Sequence, residues 1–564
     1  MPSDLEIARA AKLKDIREVA SRYGIADEFL IPYGRYLAKI DLGILDTLKG
    51  RPRGKYIDVT AINPTPLGEG KTVTTIGLGL GLNKIGKKAV STIRQPSMGP
   101  VFGIKGGAAG GGKSQVVPME DFNLHLTGDT HAVGLANNLL AAWIDTYLLK
   151  SNELGLDPNT ITWKRCLDVN DRAMREIITG LGGSENGLPR ETGFSITSAS
   201  EVMAILGLSS DLKDLRQRLG RILVGFDNDK KAVTAEQLGA AGGMAVVLRD
   251  ALNPNFMQTL EGTGCFVHTG PFANIAHGNS SIVADRVALQ LCDYVVTESG
   301  FGADMGAEKF FNIKCRISGL KPDAAVVVCS VRAMKVHSGR YTVTPGKPLP
   351  EEMTKEDLRA VEEGAVNLRR HIENVRKHGV PVVVAVNRFP TDTPAEIETL
   401  LGIAKSSGAL DAAVSEVHSR GGEGGARLAE AVVRAAEQPS QFKFLYTDQA
   451  TIQQKIETIA REIYRADGVD YKPAALQAIK RFEKLGLARL PVCMAKTQYS
   501  FSDDPKKIGA PTGFRMTVRE LHCAAGAGFL YALLGDIMTM PGLGSTPALL
   551  SIDLDAKGQI QGLF

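Results

Sequence analysis

The sequence predicts an α/β protein built on a mostly parallel sheet with helices packed on both faces. Two observations carry this. Short β-branched runs at 56–62, 88–93, 324–331, 380–386 and 412–417 are almost continuously apolar, the pattern of strands covered on both sides. They alternate with glycine-containing turns and stretches of helical period, the signature of parallel β-α units.

Taken in order, the first run opens onto Asn63-Pro64-Thr65-Pro66-Leu67-Gly68-Glu69-Gly70-Lys71-Thr72 and a helix-compatible stretch over 73–82. The second run ends at Arg94. A long helix over 356–377 places Leu358, Val361, Ala365, Leu368 and Ile372 on one face, and His378-Gly379 stops it before the run at 380–386. Further helices are expected at 425–437 and 447–464. A chain of 564 residues is too long for one core. We expect a large α/β domain over 1–365 with an insertion after 150, a second α/β unit over 366–475 and a small C-terminal unit over 476–564.

Composition excludes several classes. Hydrophobic residues make up 44% and charged residues 23%, which is ordinary for a globular chain. Lysine and arginine number 66 against 62 acidic residues, and this excess of +4 is too small and too dispersed for a nucleic-acid surface. No run approaches the roughly 20 apolar residues of a membrane span, and the acidic start lacks a secretion signal's apolar core. Seven cysteines, with no Cys-x-x-Cys pair, suggest reduced buried thiols. A cytoplasmic protein without membrane or nucleic-acid partners is expected.

The loop after the first run has the strand, glycine and helix context of a P-loop. Gly68 and Gly70 turn backbone N–H groups toward phosphate oxygens. Lys71 reaches the terminal phosphates, and Thr72 is the candidate magnesium ligand. The usual first glycine of that pattern is Thr65 here. The expected fold is therefore a P-loop NTPase-like parallel sheet in a large N-terminal domain, with two smaller α/β domains.

Two further strings are Arg94-Gln95-Pro96-Ser97-Met98-Gly99-Pro100-Val101-Phe102-Gly103-Ile104-Lys105-Gly106-Gly107 and Val331-Arg332-Ala333-Met334-Lys335-Val336-His337-Ser338-Gly339. With the Thr65–Thr72 loop they closely resemble formate–tetrahydrofolate ligase. The resemblance extends through Gly300-Phe301-Gly302-Ala303-Asp304 and Gly421-Gly422-Glu423-Gly424-Gly425 to Met540-Pro541-Gly542-Leu543.

The resemblance implies that formate and tetrahydrofolate are joined with ATP and Mg2+, through formyl phosphate. It also implies a homotetramer and activation by a monovalent cation, K+ or NH4+. Arg94 matches the arginine that holds formyl phosphate and, with Lys71, is a candidate catalytic residue. The glycines from Gly106 to Gly112, Gly106 and Gly107 first among them, read either as a nest passing backbone amides to formyl phosphate or as a flexible loop. Phe389 matches a residue that stacks on the pterin, and His418 stands where its partner is usually tryptophan. Gln95 stands where an acidic residue is usual, and Lys113 replaces a tyrosine. Asp129 either positions the attacking amine or caps a helix over 130–149. Asp304 is a candidate for touching the metal through one of its ligands, and His268 and His277 are read as polar core or loop residues. The weighed rivals are another P-loop ligase and a nucleotide-driven switch protein.

Overall fold

The structure, a computed structural model, describes residues 2–103, 109–344, 348–535 and 537–563. Its centre is a sheet of 12 strands among those residues. Seven run parallel: β1 (Lys55–Ala61), β2 (Ala89–Ile93), β3 (Gly264–Val267), β4 (Tyr294–Glu298), β5 (Ala324–Cys329), β6 (Val382–Asn387) and β7 (Asp411–Ser415). Their spatial order is β3-β2-β4-β1-β5-β6-β7. Beyond β3 the sheet turns antiparallel through Asn255–Thr259, Ala38–Ile40 and Leu30–Pro32. The strands expected to open a unit after 365, β6 and β7, extend this same sheet.

The expected strands are present with their ends shifted by one or two residues. The run at 324–331 stops at Cys329 because the Ser330 hydroxyl accepts the Ala333 N–H and starts the helix Val331–His337. Likewise, the helix expected from 447 begins at Ile452, where Thr451 and Gln454 form a capping box. The antiparallel strands were not expected, since they are short and weakly patterned.

Every side chain of β5 is buried, and β1 is buried from Tyr56 to Ala61. Helix α1 (Lys71–Lys84) follows the Thr65–Thr72 loop and packs against α2 (Gly422–Glu437). Their backbones touch through glycine: a Cβ on Gly81 would stand 2.6 Å from the Gly425 carbonyl oxygen. A second core gathers Leu140 and Ile144 of the helix Asp129–Lys150 with Leu206, Leu219 and Met244. A third, around Ile456, Phe482, Met516 and Leu530, holds the C-terminal segment. All seven cysteines are free thiols, six of them buried. Among the described residues no helix is long and apolar enough to cross a membrane.

One buried polar cluster against the sheet is fully matched. Asp285 is fully buried behind β1 and β2. One carboxylate oxygen accepts the Thr92 hydroxyl at 2.6 Å, and the other accepts the Tyr56 hydroxyl and pairs with Lys314 at 2.5 Å. Removing only the cation leaves a buried carboxylate without its counter-charge. Lys314→Met should therefore lower unfolding free energy by about 3–5 kcal/mol, measured by urea titration. Adding Asp285→Asn should restore part of that loss, and an unchanged urea midpoint in Lys314→Met would refute the role.

Candidate active site

The C-terminal ends of the parallel strands share one edge, where ligands gather in open α/β sheets. β1 delivers the loop to this edge. Gly70 adopts φ +68°, a left-handed conformation open to glycine, and is the N-cap of α1. The Asn387 amide donates to the Glu69 carbonyl at 2.7 Å, and a Cβ on Gly70 would stand 2.8 Å from that amide nitrogen. The Glu69 carboxylate folds back onto Thr65, accepting its N–H at 2.7 Å and its hydroxyl at 2.9 Å. Burial raises the Glu69 carboxyl above its ordinary range, and the Thr65 bonds oppose that shift. The loop is thus fixed from both sides and turned toward the first turn of α1, where unsatisfied N–H groups suit an anion.

Lys71, the first residue of α1, donates to the Phe301 carbonyl at 3.4 Å. Phe301 is held at φ +59°, a strained conformation for a bulky residue, just beyond the end of β4. Thr72 donates its hydroxyl to Glu298 Oε2 at 2.8 Å, and Arg94 Nε approaches Glu298 Oε1 at 3.4 Å. Glu298, only 3% exposed, therefore joins the loop of β1 to the end of β2. Burial pushes its carboxyl up, but Arg94, Lys71 and the Thr72 bond together hold it below the ordinary carboxylate range. Asp58 lies inside β1 and accepts the Ser299 hydroxyl at 2.6 Å. Burial raises it to about 7, opposed by that bond and by Lys71.

The base of the loop is tied down at Asn63. Its side chain donates to Asp304 at 3.1 Å and to the Gln498 carbonyl at 3.2 Å. Its side-chain oxygen accepts from Asn367 at 2.9 Å and lies 3.1 Å from His371, while His337 bonds its carbonyl at 2.9 Å. Asp304 also pairs with buried Lys496 at 2.7 Å. Its carboxylate is committed to these partners.

The sequence-derived residues fall into three groups. Of the loop residues 65–72, Lys71 and Thr72 meet Arg94 around Glu298, while Glu69 bonds Thr65 and Asn387. Asp129 lies farther along the same edge: Asn255 pairs with Val267 and Val267 with Ile93, two strand spacings or about 10 Å. Its carboxylate pairs with Lys39 at 2.8 Å and accepts from Asn255 at 2.8 Å. It is the first residue of the helix Asp129–Lys150, whose N-cap is Gly128, so it does not cap that helix.

The third group stands at β6 and β7. Phe389 lies just past the end of β6, with the Arg332 guanidinium 3.4 Å from its ring centroid. His418 lies just past β7 and is exposed, and its carbonyl accepts the Lys113 N–H at 2.8 Å. Arg388 joins the two strand ends through the Ser415 carbonyl and Glu416. Gln95 is buried and donates its backbone N–H to Thr269. Gly106 and Gly107 lie outside the described residues.

Glu298, Asn387 and Arg332 carry this geometry without having been singled out for it. Glu298 had one usable signal, an acidic residue closing an apolar strand. His268 is a satisfied core residue, bonded to Ser281 and the Ala251 carbonyl, whereas His277 is buried with neither ring nitrogen hydrogen-bonded. Among the described residues no cluster of three His, Cys, Asp or Glu is arranged to hold a metal. The Thr72 hydroxyl and the Glu298 carboxylate are hard oxygen donors suited to a magnesium ion that keeps its other ligands from water or phosphate. A cavity of about 1210 Å³ lies elsewhere, walled by Trp163, Phe226, Arg481, His522 and Tyr531, and none of the loop residues lines it.

A sequence profile described as formate–tetrahydrofolate ligase matches residues 2–564. A protein of that name from Saccharopolyspora erythraea is 57% identical over the full length of both chains. Relatives of the same name from Desulforamulus reducens, at 57%, and Cutibacterium acnes, at 55%, also match over the full length of both chains. On a match of this extent, the chain belongs to the formate–tetrahydrofolate ligase family.

Proposed function

We propose that the chain ligates formate to tetrahydrofolate with ATP, giving 10-formyltetrahydrofolate, ADP and phosphate by way of formyl phosphate. The observation that carries this is the meeting of Lys71, Thr72 and Arg94 around Glu298, at the mouth of a glycine loop. In this reading a P-loop NTPase-like sheet carries the nucleotide. The segment 366–475 lends Phe389 and His418 to the folate slot. Segment 476–564 closes against the loop base through Lys496 and Gln498. A homotetramer belongs to the same reading.

Formate is a poor electrophile, because its carboxylate carries a full negative charge. Attack of a formate oxygen on the γ-phosphorus forms a new P–O bond, and the bond to the β-phosphate oxygen breaks to release ADP. Both partners are anions, so cations must screen them. Lys71 supplies one at the phosphates. Arg94 supplies a planar fork matched to a carboxylate or an acyl phosphate. Glu298 aims that fork and keeps the Thr72 hydroxyl hydrogen turned away from the anion. Magnesium held at Thr72 would neutralise phosphate charge when bound. In the second step the folate amine attacks the formyl carbon, the amine proton is lost, and phosphate leaves with the bonding pair.

Phe389 offers a flat apolar surface for the pterin, with His418 on the neighbouring strand end. The imidazole is smaller than an indole, so the slot depends mainly on Phe389.

The deciding experiment is a steady-state assay with magnesium, ATP, formate, tetrahydrofolate and potassium, omitting each organic substrate and ATP in turn. Formyl-folate and ADP should appear only with all three present. ADP release indifferent to formate and folate would overturn the reading in favour of a nucleotide switch. Lys71→Ala should lower kcat by at least about a hundredfold, equivalent to about 2.7 kcal/mol of transition-state stabilisation, without shifting the thermal midpoint. Near-normal kcat would remove Lys71 from the phosphates. Glu298→Gln keeps an acceptor for Thr72 but removes the charge facing Arg94. It should raise the KM for formate roughly tenfold, and an unchanged formate saturation curve would dismiss Glu298 as the residue that aims Arg94.

A further inference from the structure

Arg332 touches two parts of the site at once, the loop after β1 and the Phe389 ring. It sits at the start of the helix after β5, the strand between β1 and β6. One terminal nitrogen of its guanidinium, Nη2, donates to the phosphate loop, to the Leu67 carbonyl at 3.2 Å and the Gly68 carbonyl at 3.3 Å. Its flat face lies over the Phe389 ring, 3.4 Å from the centroid. Phe389 is held in turn by its backbone N–H, which donates to Asp392 at 2.8 Å. Two carboxylates, Glu69 and Asp392, flank the guanidinium and offset its burial.

A guanidinium is rigid and planar, so bonds at its edge determine where its face lies. At 3.4 Å the cation occupies one face of Phe389 and leaves no room there for a second ring. A flat ligand must use the opposite face. The tilt of that face follows the plane of Arg332, and the plane follows the carbonyls of Leu67 and Gly68. Anything that fixes the loop therefore fixes the aromatic platform.

We infer that Arg332 is a positioning residue that couples occupancy of the phosphate loop to binding of the flat substrate on Phe389. This rests on the proposed function for the identity of the two ligands. The loop is fixed at Thr65 and at Glu69, so what a bound nucleotide orders is the tip between them, the carbonyls of Leu67 and Gly68. These hold the guanidinium, and the guanidinium presents Phe389 in its binding orientation. The coupling is reciprocal, so folate must tighten nucleotide binding by the same factor. Lysine at this position keeps the charge but lacks the planar fork, so it should not substitute.

The test is titration calorimetry of tetrahydrofolate into the full-length protein, with and without saturating magnesium and ADP. The wild type should bind tetrahydrofolate at least about fivefold more tightly with ADP present, the lower end of ordinary coupling. Arg332→Lys should bring that ratio close to one. Phe389→Leu, which leaves the loop bonds in place, should do the same, and the double variant should show no further loss. A ratio retained in Arg332→Lys, or a wild-type ratio of one with both ligands bound, overturns the inference while leaving the ligase reading intact. Failure of the wild type to bind either ligand overturns both.

Discussion

A single carboxylate organises the edge of the sheet where the candidate site lies. Glu298 is almost completely buried, yet it is held ionised by Arg94 on one side and by Lys71 and Thr72 on the other. A buried charge is tolerated only when its partners are held close, so its presence constrains everything around it. β4 has to lie between β1 and β2, because only from there can one side chain reach both strand ends. The order β2-β4-β1 is therefore a requirement of the site as much as of packing.

The same economy recurs at the loop base. Asn63 gathers Asp304, Asn367, His337, His371 and the Gln498 carbonyl around one amide and one peptide group. These partners come from the end of β4, the long helix Leu358–Lys377, the helix after β5 and the C-terminal segment. Each alone is a modest interaction, but together they prevent the loop from moving as a free hinge. A preorganised loop is what electrostatic catalysis requires, since its dipoles must be aligned before charge develops.

Much of this was legible in the residues. The near-continuous apolar runs disclosed the parallel strands, because a strand covered on both faces needs no polar alternation. The loop from Thr65 to Thr72 announced itself through glycines that only a left-handed turn requires, and Gly68 and Gly70 both adopt positive φ. Strand order was not legible, since β1 pairs with β4 and β5, which lie far along the chain. For the same reason Glu298 and Arg332 escaped notice: their importance comes from tertiary neighbours and not from local spacing. Asp129 illustrates the opposite limit. A carboxylate at a helix start reads as a cap, yet here it serves Lys39 and Asn255 across the sheet.

The placement of β1 also bears on how the chain comes to be folded. The strand that carries the loop is sandwiched between two others, and the nearer in sequence begins only at Tyr294. At about 5–20 residues per second, a ribosome needs on the order of ten seconds or more after completing β1 before either neighbour emerges. Throughout that interval an apolar strand, with both edges unpaired, must be kept from other chains. The buried position that makes the loop rigid in the finished protein makes its strand vulnerable during synthesis. Expression yield should therefore respond to chaperone supply more than the finished protein's stability would suggest.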